Sequence, residues 1–508
     1  MGFFQFLQVL GFAMVFLIIF IAWLSPIRAY KKVRKNGFDG PKPSFPLGNI
    51  DEMRKKEKRD SPLRSENVTH IIHSIVFPYF ARWRQLHGKV FVYWLGIEPF
   101  LYVADPEFLK EMSSGVMAKN WGKPNVFKYD RKSMFGNGLL MLEGDDWIHH
   151  RNIIAPVLSP ANIKIIASSM VESANKMLDQ WVNLITSGET TIHVEKEITS
   201  TAAEIIAKLA FGINDENGRK LFEKLRALQL SLFKSNRLVG VPFGKFLNFK
   251  QTLESRKIGK EIDSLLLTII TERKRRNSTK GDHHDQPQQD LLGFLLSDSK
   301  NNKKKLTEQE LVDECKTFFF GGHETTALAI TWTLLLLALH PEWQNHLREE
   351  IKEEIGDGPL DPTMLARLKK MGWVMNEVLR LYPSAPNAQR QANEDIHVGQ
   401  TIVPKGTNIW IDVLGMHHDQ SIWGDEVHEF RPERFMEDPN GRSKHRMGYL
   451  PFGFGGRMCV GKNLAHMEYK TLLTLILRRS WSGKALPIYL YGWGNDAASD
   501  NRGASIAG

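Results

Sequence analysis

From Met1 to Ile27 the chain carries no charged side chain, and from Phe3 to Leu24 it is apolar apart from Gln5, Gly11 and Gln8. In a bilayer every backbone N–H and C=O must be satisfied within the segment, so such a run has one solution, a helix. About 22 residues at 1.5 Å each give roughly 33 Å, enough to cross a hydrocarbon core of about 30 Å. A cleaved leader would place its basic residues before a shorter apolar stretch. Here Arg28, Lys31, Lys32, Arg34 and Lys35 come after it. Residues 1–27 are therefore expected to be an uncleaved single-pass anchor, with the positive flank and everything beyond it on the cytosolic side.

The remainder is large enough for a sizeable core: 508 residues in all, 42% of them hydrophobic. Two cysteines exclude a disulfide-stapled scaffold and fit a reducing compartment, where a cysteine that matters is a ligand or a nucleophile. The net charge of +10 raises nucleic acid as a partner. The basic runs Arg54-Lys55-Lys56 and Lys303-Lys304-Lys305 read as solvated loops, and no basic stripe interleaved with aromatics is present, so no nucleic-acid partner is expected.

Residues 28–46 read as a basic, proline-rich linker, with Pro41, Pro43 and Pro46 making a stiff spacer. Residues 47–479 read as one domain, mainly α with small β-sheets. Residues 89–104 predict a β-hairpin turning at Gly96 to Pro99. The stretch 160–275 is mainly helical, and 273–289 is a polar loop. Leu306 to His340 predicts a long helix with a polar start at Thr307 and Pro341 beyond its end. Short strands return over 396–413, and a helix follows near 460–478. Residues 480–508 have no periodicity and little to bury, so a disordered, atypical tail is expected.

The most specific local pattern is Phe452-Gly453-Phe454-Gly455-Gly456-Arg457-Met458-Cys459-Val460-Gly461. It fits Phe-x-x-Gly-x-Arg-x-Cys-x-Gly at every fixed position, a match expected by chance with odds on the order of 10⁻⁴. Mid-way along the long helix lies Gly321-Gly322-His323-Glu324-Thr325-Thr326. Two interior glycines cost about 1 kcal/mol each against alanine and need a reason. Glu377-x-x-Arg380 is weak alone, since Glu223-x-x-Arg226 and Glu272-x-x-Arg275 share it, but it is followed by Phe430-Arg431-Pro432-Glu433-Arg434-Phe435. Trp147-x-x-x-Arg151 is weaker still. Cys315 reads as core packing, and metal ligation by His149 or His150 is not expected.

In this order, over roughly residues 40–478, these motifs resemble the cytochrome P-450 superfamily, and the phrase Cys315 to Thr326 resembles its plant clan of hormone and terpenoid hydroxylases. The resemblance implies a cytochrome P-450 fold behind one transmembrane helix, and a haem b whose iron takes Cys459 as axial thiolate. It implies haem contacts from Phe452 and Arg457, and propionate contacts from Arg457, Trp147, Arg151 and Arg390. Glu324 and Thr325 are the implied proton-delivering pair on the oxygen face. Glu377, Arg380 and Arg434 are the implied structural triad.

The implied reaction inserts one atom of dioxygen into a C–H bond of a hydrophobic small molecule. With no dinucleotide-binding or phosphate-binding motif of its own, the chain is expected to draw electrons from NADPH through an NADPH–cytochrome P-450 reductase at the endoplasmic reticulum membrane. Residues 480–508 do not resemble the family's C-terminal strands, which leaves open a catalytically impaired haem-binding variant. A haem-thiolate isomerase or dehydratase is the other alternative; such enzymes typically lack an acid–threonine pair.

Overall fold

The computed structural model describes residues 2–55, 69–188, 191–212, 216–235, 238–244, 249–279, 290–297, 305–481 and 484–485. Helix α1 (Gly2–Ile19) continues through a π turn at Phe20–Leu24 into α2 (Ser25–Lys35). Its apolar side chains are bare: Phe6, Phe12 and Phe16 are all more than half exposed. This is the candidate membrane anchor, spanning Gln5–Lys35.

The basic cluster is thus helical and continuous with the anchor. The segment after it is not a free spacer. Val33 and Phe38 are buried against the domain, and the Val92 N–H donates to the Asp39 carbonyl at 2.8 Å. A Cβ at Gly40, where φ is +156°, would fall 1.9 Å from the Val92 carbonyl oxygen, so only glycine lets the chain lie this close.

Strands β1 (Val90–Leu95) and β2 (Glu98–Val103) form the expected hairpin, turning at Gly96 with φ +61°. With β3 (Trp121–Gly122), β4 (Asn387–Ala392) and β7 (Asn408–Asp412) they make a five-stranded sheet in the order β1-β2-β7-β4-β3. Only the β2–β7 pairing is parallel. A small hairpin, β5 (Ile396–Val398) with β6 (Thr401–Val403), stands apart. The sheet is sealed by an aromatic core in which Phe80, Trp83, Phe91, Tyr93, Trp94, Phe100 and Tyr102 are all at most 1% exposed. At its centre Asp412, fully buried, accepts from Tyr102 at 2.5 Å and pairs with His73 at 2.6 Å.

The larger core is helical. It is built from α3 (Gly144–Val157), α4 (Pro160–Thr186), α5 (Val194–Phe211), α6 (Glu216–Ser235), α7 (Phe249–Thr279), α8 (Glu308–Leu339), α9 (Lys369–Leu381) and α10 (Lys462–Arg478). Helix α8 is central. It starts on a capping box in which Thr307 Oγ1 accepts from the Glu310 N–H and Glu310 accepts from the Thr307 N–H. Its end meets Pro341, as the sequence predicts. Helix α7 runs to Thr279, past the predicted loop start at 273, because Arg273 is buried and donates to Phe211 O at 3.1 Å and to Asp290 at 2.5 Å. That tether overrides the polar composition.

Of the tail, Ser480–Trp481 and Lys484–Ala485 pair antiparallel. The rest of the expected disordered segment lies outside the described residues.

Candidate active site

The ten residues around Cys459 fold as a loop because their glycines adopt what other residues avoid. Gly453 and Gly455 sit at φ +73° and +61°. Gly456 lets the loop press on the preceding segment, since a Cβ there would lie 2.4 Å from that of Ala118. The Cys459 N–H donates to Phe452 O at 2.8 Å, closing the loop immediately before α10. Phe452 stacks near His466, ring centroids 5.3 Å apart, and Lys462 lies over its face.

The Cys459 side chain is exposed. Burial pushes the thiol pKa up; the Gly461 N–H at the sulfur and the positive charges of Arg151 and Lys462 pull it down. A coordinated metal cation reverses the balance outright. Arg151 reaches this loop directly, donating to Met458 O at 3.1 Å.

Arg457 points to the other side. Its guanidinium lies 4.1 Å from the Trp147 ring centroid and donates to Ala118 O, Leu142 O and Trp121 O at 3.1, 2.9 and 2.8 Å. Three of its five N–H donors are thereby used, and the others remain for a ligand. Trp121 is on β3, so this fork ties the cysteine loop to the sheet edge. The next strand, β4, brings Arg390, 8% exposed and donating to Gln389 O. Burial lowers the guanidinium pKa of Arg390 to about 10. Arg457 is likewise lowered to about 10, first by burial and then by Arg390. Lys123, just beyond β3, is pushed well below the ordinary lysine range by burial, then by Arg390, Arg457 and Arg131.

Glu143, which accepts from the Lys123 N–H at 2.7 Å, offsets part of this repulsion, and with three cations to one acid the cluster can still take a further anion. The donor set fits haem: a cysteine sulfur for iron, and a cationic rim for two carboxylates. Lys123 was not singled out in the sequence, where it is one lysine among many.

Helix α8 crosses α10 where Thr333 Oγ1 meets Tyr469 Oη at 2.8 Å. About three turns earlier come the glycines, and their surroundings differ. A Cβ on Gly322 would lie 2.4 Å from Ile206 Cδ1, so α5 can approach only there. A Cβ on Gly321 would meet nothing within 4 Å. The helix stays α-helical through this turn, and its side chains fold back onto it: His323 Nδ1 at 2.7 Å from Phe319 O, and Thr325 Oγ1 donating to Gly321 O at 2.8 Å. The Thr325 carbonyl accepts from Ser384 Oγ at 2.8 Å, and the Glu324 carboxylate accepts from the Gln229 amide. Neither partner was legible beforehand.

Behind this, Glu377 and Arg380 pair in a bidentate fork with no exposed surface. Arg434 stands 3.4 Å from Glu377. Cys315 is 1% exposed and its thiol pKa is pushed far up by burial, as suits a packing residue. His149 and His150 are in no metal-binding group among the described residues. His150 instead bonds Glu314 at 2.6 Å, linking α3 to α8.

Comparison with known proteins agrees with this geometry. The family described as Cytochrome P-450 matches residues 66–480. The chain is 35% identical over 494 residues to Cytochrome P-450 714C2 of Oryza sativa subsp. japonica, covering 96% of this chain and 93% of that one. It is 36% identical over 466 residues to a cytokinin hydroxylase of Arabidopsis thaliana, covering 90% and 88%. It is 34% identical over 472 residues to Cytochrome P-450 734A1 of Arabidopsis thaliana, covering 90% and 87%. A mainly helical body with small sheets, a loop-borne cysteine and this breadth of similarity carry one conclusion: the chain belongs to the cytochrome P-450 family and is a haem monooxygenase acting on a hydrophobic small molecule.

Proposed function

We propose that Cys459 ligates the iron of haem b, that Lys123, Trp147, Arg390 and Arg457 hold its propionate edge, and that Glu324 and Thr325 move protons on its oxygen-binding face. The observation that carries this reading is the cluster of Lys123, Arg390 and Arg457, three cations with Glu143 as the acid beside them, next to an accessible cysteine sulfur. When bound, the haem supplies the oxidising chemistry that puts one oxygen atom of dioxygen into a C–H bond and releases the other as water.

The chain's own contributions follow from its donors and acceptors. The Gly461 N–H steadies charge on the Cys459 sulfur. Arg151 pins Met458 and with it the sulfur's height above the loop. Thr325 donates its hydroxyl hydrogen to Gly321 O, so its lone pairs are left to accept from water, and Glu324 beside it is a carboxyl group that can take a proton from solvent and pass it to that water.

Electrons come from NADPH through a membrane-bound flavin-containing reductase, whose acidic face meets Lys462 and its neighbours on the cysteine side. The anchor sits in the endoplasmic reticulum membrane, with the basic residues Arg28 to Lys35 and the domain on the cytosolic side. The substrate is a plant hormone or terpenoid. Two relatives at 36% identity are cytokinin hydroxylases, so cytokinins head the panel, followed by gibberellins, steroids and terpenoids.

The deciding experiment is the spectrum of the reduced, CO-bound protein. A thiolate-type Soret band in the full chain, absent in Cys459→Ser, is expected. The same band in both proteins would overturn the assignment of the ligand.

A further inference from the structure

Glu324 is held from another helix. Its carboxylate accepts a hydrogen bond from the Gln229 side-chain amide, 95 residues away in the chain, and Gln229 is 8% exposed. On α6, Leu221, Leu225, Leu228 and Leu232 form the stripe that enters the helical core, each at most 6% exposed. Gln229 lies on that stripe, four residues after Leu225. Burying an amide among leucines is unfavourable unless it finds a partner, and the partner here is the acid of the oxygen-side helix.

The choice of an amide has a consequence. A lysine or arginine at 229 would hold Glu324 ionised and hinder its taking up a proton. An uncharged donor fixes direction while leaving the carboxylate able to cycle. The other ionisable neighbour on α8, His323, bonds Phe319 O; its pKa is lowered chiefly by burial, with Glu324 raising it and Arg226 of α6 lowering it. The Glu324 carboxylate therefore takes its orientation from α6.

We propose that Gln229 is a positioning residue that aims the Glu324 carboxylate toward Thr325 and its water, so that the placement of α6 sets proton supply on the oxygen face. This rests on the reading of Glu324 given above.

The test uses the full-length haem-loaded protein with NADPH and a plant cytochrome P-450 reductase, without substrate. Electrons then leave in two ways. One NADPH, one proton and one O₂ give one NADP⁺ and one hydrogen peroxide; two NADPH, two protons and one O₂ give two NADP⁺ and two waters. Efficient proton delivery favours water. The quantities read are peroxide formed per NADPH, and the infrared carboxylate band of Glu324, identified as the one lost in Glu324→Gln.

In Gln229→Met the CO-bound thiolate band is expected unchanged, the carboxylate band shifted, and the ratio of water to peroxide lowered by about threefold or more, a modest part of the 10²–10⁴ typical of acid–base catalysis. The double variant Gln229→Met/Glu324→Gln should be no worse than Glu324→Gln alone. An additive effect, or an unmoved carboxylate band, overturns the proposal. If Glu324→Gln itself leaves peroxide per NADPH unchanged, it is the assignment of Glu324 that fails. If Glu324→Gln raises peroxide and Gln229→Met does not, only the role of Gln229 fails. Should Gln229→Met not take up haem, Gln229→Asn, which keeps the amide but withdraws it by one methylene, is read the same way. Loss of the CO-bound band in both would make Gln229 purely structural and end the proposal.

Discussion

Glu377 and Arg380 grip each other through two bonds, Nε to Oε2 at 2.7 Å and Nη2 to Oε1 at 2.8 Å, with neither side chain exposed. Arg380 spends its remaining donors on His417 O, Val427 O and Glu429 O, so one guanidinium ties α9 to the short helix Val413–His417 and to the loop carrying Val427 and Glu429. Replacing it leaves a buried carboxylate uncompensated. Arg380→Ala is expected to cost about 3–5 kcal/mol, and Arg380→Lys to rescue little, because an ammonium cannot serve this fork. Arg434 is a lesser partner: its Nε lies 3.4 Å from Glu377 and makes no hydrogen bond among the described residues. Arg434→Ala should cost about 1 kcal/mol. Urea unfolding midpoints of the three variants check the ranking, and equal losses at 380 and 434 would contradict it.

The two glycines of α8 should respond oppositely to one methyl group. At Gly321 nothing lies within 4 Å of a new Cβ, so Gly321→Ala should gain about 1 kcal/mol of helix propensity. At Gly322 the same gain is set against a clash with Ile206, itself 1% exposed, and overpacking of this kind costs about 1–3 kcal/mol. The second term wins. Thermal unfolding should rank Gly321→Ala above the parent and Gly322→Ala below it.

Glu468, on α10, has no exposed surface, and neither carboxylate oxygen has a hydrogen-bond partner among the described residues. Burial raises its pKa well above the ordinary 4.5. The folded protein keeps this proton while the unfolded chain gives it up, so stability falls as pH rises from about 4.5 toward the folded pKa, by up to about 1.4 kcal/mol per pH unit. Glu468→Met should therefore stabilise the protein most at pH 8 and least near pH 4.5. Urea titrations of both proteins at several pH values test it, and a pH-independent difference would show that the acid is ionised or partnered in the fold.

Arg390→Met separates the cofactor's needs from the fold's. Without haem, removing a buried cation that has no carboxylate partner among the described residues should raise the unfolding midpoint. With haem, losing a charge-assisted bond of about 1.5–3 kcal/mol should speed haem loss by about tenfold or more. Transfer of haem to an apoglobin measures the second. Slower or unchanged loss would remove Arg390 from the propionate edge.

What could be read beforehand was local. The polar start of the long helix at Thr307, the turn at Gly96 and the cysteine loop each declare themselves within ten residues, because dihedral preference and short-range bonding decide them. What could not be read depends on partners distant in sequence. Gln229 is ordinary until α6 meets α8, and Lys123 is one of many lysines until β3 and β4 bring it beside Arg390. The polar run from Arg273 resembled a loop because its composition carries no trace of Phe211 or Asp290, the groups that keep it helical. The spacer at Gly40 to Pro46 has the residues of a tether, and only the close approach to Val92 reveals that it is stitched down.

That stitching bears on how the enzyme sits in the cell. The anchor helix passes without a break into Lys35, and within a few residues the backbone is bonded to the edge of the sheet. Only Asn36, Gly37 and the buried Phe38 separate Lys35 from the bonded Asp39. With Gln5–Lys35 in a bilayer, as proposed above, any lean of that helix passes to the catalytic body as by a stiff mast to its hull, so a bilayer thickness that alters the lean also alters how far above the lipid the body rides.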